Sequence, residues 1–319
     1  MRWELWICAL LLPGFAIGCS DAKTSPSQMT KQSPNIRIIV TSQPLLQMTT
    51  TLVGEWTEPS LIIPEGQSSP DWSPTAEDAR EMQKAGILFI SGAGYEPWRD
   101  RVSLPRSRVR DTAAGYYEQF IRIPDALTHQ HGPAGSHSHP GTVWATWLDP
   151  DLCAAQLHQV GLHCVRLMPD RKQAIETAEA KLSAELNALN GTINSIKATS
   201  DGRELVVYSD TPNYLYLTRR LGWKLQYLHW HSSGLLSDAE KAELSNLLKP
   251  ANEGAASDNK QRLFLLDARQ SADTEAFVGE SGASVIRLDL CEERSGESEP
   301  LADRLRQNLQ RISNALASE

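Results

Sequence analysis

One unbroken helical stripe limits the fold of this 319-residue chain more than any other feature. Ile175, Ala178, Leu182, Leu186, Leu189, Ile193 and Ile196 follow one another at intervals of three or four residues. That spacing marks one face of an α-helix, and most residues between are polar. From about residue 170 to 198 the helix is on the order of 40 Å long. A stripe of that length finds enough apolar partners only if separate parts of the chain pack along it. It is expected to be a rigid strut between two lobes.

On both sides of the strut, short apolar runs alternate with helical stretches. Residues 36–40, 61–63 and 87–90 read as buried strands, with helices around 43–54 and 75–85. Asp149-Pro150 opens a further helix, with Asp as N-cap and Pro at the first helical position. After Asp201-Gly202 the pattern restarts. Strands are expected at 205–208, 225–230, 263–266 and 285–288, with helices at 214–221, 237–248 and 299–317. Such alternation implies parallel sheets covered by helices. The fold class is therefore α/β: two similar lobes joined by one long rigid helix. The expected divisions are an N-terminal lobe over 35–165, the connecting helix over 166–200 and a C-terminal lobe over 201–319.

Residues 1–18 are expected to be a signal segment. Arg2 precedes an apolar run from Leu5 to Ile17, shorter than the roughly 20 residues a bilayer requires. The run ends in Ala16-Ile17-Gly18-Cys19, which resembles a bacterial lipobox, with Ala16 where Leu is usual. On that reading the Cys19 thiol is lipidated. The alternative is a plain signal with an incidental Cys. Residues 19–34 are rich in Ser, Thr, Gln and Lys and read as a flexible tether.

Composition excludes several functions. The formal net charge is −8, and no basic run is present, so nucleic acid is not expected as a partner. There is no Gly-x-Ser-x-Gly elbow, phosphate-binding loop or His-Glu-x-x-His pair, so no enzyme is expected. Gly92-Ala93-Gly94 lacks the rest of a dinucleotide fingerprint. Glu96 and Asp100 read as surface charge. Cys153 and Cys164 are about 16 Å apart if one helix holds both. A disulfide requires Cα atoms within about 7 Å, so those two bridge only if the helix breaks, at Gly161 for example. With Cys291 they read as buried small hydrophobes.

The order of several short motifs resembles the metal-binding, cluster A-I solute-binding proteins of zinc and manganese ABC importers. These motifs are Val40-Thr41-Ser42-Gln43-Pro44-Leu45, Asp71-Trp72-Ser73-Pro74 with Asp78, and Ala85-Gly86-Ile87-Leu88. They continue with Gly92 to Trp98, Trp147-Leu148-Asp149-Pro150 and Tyr216-Leu217-Thr218-Arg219-Arg220-Leu221-Gly222. The resemblance covers nearly the whole mature chain. It implies two lobes on a rigid helix, a metal in the cleft and a membrane permease that receives it. It also assigns ligand positions, and there the chain departs. Asp71 stands where the family usually has His, and Ala145 holds the second position. The third falls at Thr211, with Asp210 adjacent, and the fourth near Asp267. Asp71, Asp210 and Asp267 make an oxygen-rich set, which suits hard cations more than zinc. Each is equally plausible as a helix cap or turn residue.

Four of the eight His lie between residues 129 and 139, among glycines and prolines. His129, His131, His137 and His139 therefore form a loop able to capture borderline metals; the alternative is a solvated loop that binds nothing. His139, or failing it His137, is the candidate to replace the ligand missing at Ala145. His229 and His231 read as a structural pair on one strand face, and His158 and His163 as surface or packing residues. Trp56, Trp72, Trp98, Trp144 and Trp147 are expected around the cleft and lobe interface.

The reading is a monomeric, lipid-anchored extracytoplasmic receptor. It would pass a divalent cation, zinc first and manganese next, to the permease of an ABC importer. The alternative keeps the fold without the metal: a degenerate homologue that binds another solute or a protein partner.

Overall fold

A computed structural model describes residues 36–123, 128–130, 136–138, 141–230, 235–248, 260–293 and 299–317. The signal and tether, Cys19, His131, His139 and His231 lie outside the described residues. His129 and His137 are described as backbone only.

The N-terminal sheet is formed by β1 (Ile38–Val40), β2 (Ser60–Leu61), β3 (Ile87–Ile90) and β4 (Val109–Asp111), in the order β2-β1-β3-β4. Every pairing in it is parallel. Helices α1 (Gln43–Val53) and α2 (Ala76–Lys84) make the first two crossovers. Ser42 caps α1 and Thr75 closes a capping box with Asp78, so both starts are written locally. Strand β4 escapes the apolar pattern because Arg110 and Asp111 are polar and only three residues pair. A short antiparallel hairpin, β5 (Thr128–Gln130) with β6 (Ser136–Ser138), sets the His129 backbone opposite that of His137.

Helix α3 (Pro150–Leu167) starts at the Asp149 cap, and α4 (Lys172–Ser200) is the strut, 29 residues long. No break occurs at Gly161. Cys153, Cys164 and Cys291 are free and buried. The stripe on α4 behaves as its spacing predicts. Ile175, Leu182, Leu186, Leu189, Ile193 and Ile196 are buried, and Ala178 packs beside them. They join one apolar cluster that takes Val40 and Phe89 from one sheet and Leu263 and Ile286 from the other. The stripe is thus the shared core of both lobes. Removing one methyl from it, as in Ile193→Val, is expected to cost about 1 kcal/mol. A thermal melt should register this as a fall of about 2 °C.

The C-terminal sheet is formed by β7 (Leu205–Ser209), β8 (Leu225–Tyr227), β9 (Gln261–Asp267) and β10 (Ser284–Leu288), in the order β10-β9-β7-β8. All its pairs are parallel. Helices α5 (Leu215–Leu221), α6 (Asp238–Leu248) and α7 (Ala272–Glu280) cross over, and α8 (Leu301–Ala317) packs on α4. In each sheet the first strand lies between the second and third, so both lobes share one topology. Strand β8 ends at Tyr227, three residues short of the expected end. His229 therefore lies beyond the strand, edge-on to Tyr227. Trp230 is buried and stacks on Phe264.

The two lobes are tied by polar contacts as well as by the stripe. The Tyr216 hydroxyl accepts from the Ile121 N–H and donates to the Val143 carbonyl. Arg220 reaches Asp149, Asp151 and Asn190. Trp147 donates its indole N–H to the Leu290 carbonyl at 2.9 Å. The Trp-Leu-Asp-Pro and Tyr-to-Gly runs thus supply contacts between the lobes.

Candidate functional site

In a parallel sheet the carboxyl ends of the strands point into the crevice where ligands bind. Asp210 follows β7 directly, Asp267 ends β9, and Glu292 lies four residues beyond β10. From the other lobe, Asp71 lies in a turn after β2, and Tyr95 and Glu96 lie in the loop after β3.

Two of these acids, Asp267 and Glu292, meet at one guanidinium. Arg269 places Nη2 2.6 Å from Asp267 Oδ2 and 2.9 Å from Glu292 Oε2. Its Nε also donates to Asp267, at 3.0 Å to Oδ2. Glu292 Oε1 accepts from the Tyr95 hydroxyl at 3.0 Å, which links the lobes at the site. Asp210 Oδ2 accepts from the Asp267 backbone N–H at 3.0 Å and from the Gln270 amide at 3.2 Å. Its other oxygen, Oδ1, is buried and receives no hydrogen bond from another described residue.

The electrostatics follow from crowding acids in a dry place. Burial, then the charge of Asp267, pushes the Asp210 carboxyl up to about 7. Burial also pushes Glu292 up to about 7. Arg269 opposes that rise, while Asp267 and, more weakly, Asp71 add to it. For Arg269, burial works against the charge, but Glu292 and Asp267 outweigh it and hold its pKa above the ordinary value. Asp267 and Glu292 thus share one cation, and the Asp210 carboxyl is buried beside them.

The expected residues divide clearly. Asp210 and Asp267 are brought together. Asp71 sits across the cleft, exposed, hydrogen-bonded to Ser68 and near enough to act on Glu292. The Thr211 hydroxyl accepts from the Asn213 N–H and caps a short 3-10 turn. Ala145 is buried beside Trp144 and Trp147, which pack against Tyr95. Trp72 and Trp98 meet edge-to-face inside the N-terminal lobe, and Trp56 stands under Arg171. His158 pairs with Glu179 on α4, and His163 packs near Phe89.

One expectation about an acid is corrected. Glu96 is not surface charge: it is 7% exposed and accepts from Thr41, the Ser91 N–H and the Gly92 N–H. The loop that makes this possible, Gly92-Ala93-Gly94, has three successive positive φ angles, 74°, 52° and 83°. A Cβ at Gly92 would run into Asp111. Arg269 and Glu292 were missed altogether. The only signal for them was their place just past the ends of β9 and β10.

Among the described residues no three His, Cys, Asp or Glu side chains converge as a ready metal site.

Comparison with known proteins decides the family. The family described as "Zinc-uptake complex component A periplasmic" matches residues 38–315. The chain belongs to this family. As a family member it is a binding protein and not an enzyme. It is 21% identical over 311 residues to the high-affinity zinc uptake system protein ZnuA of Bacillus subtilis, covering 93% of this chain and 92% of that protein. It is 23% identical over 254 residues to the zinc-binding lipoprotein AdcA of Streptococcus pneumoniae, covering 76% of this chain and 46% of that one. Its fold is similar to that of the solute-binding protein FpvC from Pseudomonas aeruginosa in complex with Mn2+. The TM-score is 0.70 at 18% identity, over 89% of this chain and 99% of that one. Such low identities leave room for the family's histidine positions to carry other residues here. Among the described residues, no helix is long and apolar enough to cross a membrane.

Proposed function

We propose that this chain is the extracytoplasmic receptor of a metal ABC importer, held to the membrane through a lipid on Cys19. Its cargo is one divalent cation, zinc first and manganese next, bound in the cleft and passed to the permease. One observation carries the reading. Asp210 keeps a buried, unpartnered oxygen in a cluster whose acids outnumber its cation. A buried carboxylate oxygen without a donor is costly unless a cation reaches it. Asp71, Asp267 and Glu292 would complete an oxygen-rich shell. His139 of the 129–139 loop would supply a nitrogen if the ion is zinc, and His129, His131 and His137 would gather metal nearby. Thr211, next to Asp210, caps the short 3-10 turn that follows. The names of the similar proteins, a zinc uptake protein and a zinc-binding lipoprotein, point the same way.

One observation favours a second reading. Arg269 already neutralises part of the cluster, as it would in a homologue that had given up metal. Calorimetry separates the two. The full chain in mild detergent is titrated with zinc and with manganese, beside a variant with all four loop histidines changed to Ala. One-to-one binding of either ion by the intact chain is the expected result; binding that survives the loop change places the ion among the carboxylates, and binding lost with it makes the loop the only site or His139 a cleft ligand, which His139→Ala alone separates. No binding of either ion by the intact chain would sink the importer reading and leave the metal-free homologue standing.

A further inference from the structure

We propose that the β4 edge of the N-terminal lobe is a docking surface for anionic phospholipid headgroups, with Arg101, Arg106, Arg108, Arg110 and Arg166 as its charges. The inference goes beyond the receptor reading and takes from it only the membrane anchor at Cys19.

The charge is concentrated and uncancelled. Residues 99–110 hold five arginines and one acid, Asp100, in a chain whose formal net charge is −8. They run from the 3-10 turn Arg99–Arg101 into β4, the outer strand of its sheet. Arg99, Arg101, Arg106 and Arg108 are exposed, and Arg110 is half-buried. Arg108 and Arg110 donate only to backbone carbonyls, at Gln83 and Ala85 and at Arg106, Ser107 and Val109. Among the described residues, the arginines that pair with acids lie elsewhere.

Helix α3 brings a further arginine to the same place. β4 sets Arg110 opposite Phe89, and Phe89 packs beside His163 of α3. Burial, then the charges of Arg110 and Arg166, holds the His163 imidazole below its ordinary value. Both guanidiniums therefore act on one ring. Leu162 lies four residues before Arg166, on the same helix face, and is itself exposed. Cations beside an exposed apolar side chain suit the headgroup layer of a bilayer.

The position of the anchor selects the occupant. The chain enters the fold at Ile36, just ahead of β1. Arg37 leads into β1 as Arg108 leads into β4: their carbonyls accept from the N–H groups of Gly86 and Leu88, at the start of β3. Only β3 separates β1 from β4, so the entry point and Arg108 are about 10 Å apart. Cys19 and Ile36 are 17 positions apart, a span of at most about 60 Å. A lipid on Cys19 thus keeps the arginine edge near the bilayer at high effective concentration. The crevice lies at the opposite, carboxyl ends of the strands, so docking by this edge leaves it open to the medium.

The probe is the chain from Ser20, which carries no lipid and contains the compact unit 33–319. It is sedimented with vesicles of phosphatidylcholine alone, and of phosphatidylcholine with an equal part of phosphatidylglycerol. Binding to the anionic vesicles alone is expected, with release in about 1 M salt, where screening acts within about 3 Å. One variant combines Arg101→Gln, Arg106→Gln and Arg166→Gln, three exposed side chains. It should bind anionic vesicles at least about tenfold more weakly, since each arginine near such a surface is worth about fivefold. Its melting temperature should not change. A control combines Lys181→Gln, Lys197→Gln and Lys224→Gln, which removes the same charge from exposed positions elsewhere and should leave binding as it was. No binding to anionic vesicles overturns the proposal. Equal weakening by both triple variants also overturns it, because overall charge would then be the cause. Capture by heparin without capture by vesicles overturns it and makes a polyanionic polymer the occupant. Mass spectrometry of the full chain reads the anchor separately: absence of lipid on Cys19 would overturn the anchor, while vesicle binding would still uphold the surface.

Discussion

Asp210→Asn should lower zinc affinity about a hundredfold, or about 2.7 kcal/mol, while leaving the metal-free protein as stable at pH 8 or more so. The two halves of the result have one cause. Asp210 is 1% exposed, and its Oδ1 has no donor from another described residue. Without metal, its charge is buried with too little to balance it. With metal, the same charge is a ligand. Asn keeps an acceptor for the Asp267 N–H and the Gln270 amide but brings no charge. At about 4 Å and an effective dielectric near 20, a pair of unit charges interacts by about 4 kcal/mol. A hundredfold loss is therefore well within what one lost carboxylate removes. Asp100→Asn, on an exposed turn, serves as the control and should change nothing. Calorimetry and a thermal melt on the same sample check both halves. A fall in metal-free stability together with lost affinity would mean that Asp210 is structural, and the cleft would lose its main support.

Stability of the metal-free chain should fall as pH rises from about 5 to 8, and zinc should reverse the trend. Asp210, Glu292 and Glu96 sit near 7 in the folded chain, against ordinary values of 3.8, 4.5 and 4.5, chiefly because burial disfavours their charged forms. Between the two sets of values the folded chain holds protons that the unfolded chain has released. Stability then declines with pH. The contribution of these acids is fully present below about 4 and is lost as pH rises through about 7. On the metal reading a bound cation takes the place of the protons on Asp210 and Glu292. Zinc uptake near neutral pH should therefore release protons, and affinity should weaken as pH falls. Melting curves at several pH values, with and without zinc, show the slopes. Titrations in buffers of different ionisation heat show the protons. A metal-free melting temperature that rises steadily from pH 5 to 8 would refute the buried-acid account.

Both predictions turn on residues that differ in how visible they were beforehand. The α4 stripe was legible to the residue because a helix repeats every few positions and burial follows the repeat. The Asp149-Pro150 start was legible because capping is settled within one turn. Asp210 and Asp267 were reached through a resemblance and through their place at strand ends. Arg269 and Glu292 were not reached. They are 23 positions apart, and only the pairing of β9 with β10 sets their loops side by side. Glu96 looked like solvent-facing charge because its donors are backbone groups at Ser91 and Gly92, which no side-chain pattern reveals.

Local physics in the sequence thus determined the alternation of strands and helices, the two parallel sheets and the strut that joins them, because period and capping act over a few residues. Tertiary structure alone decided what the cleft is. Acids from several strand ends share a dry space, and their charge depends on neighbours that are distant in the chain. Charge couples through space at low dielectric, so an arginine two residues past a strand became the ion already resident among them.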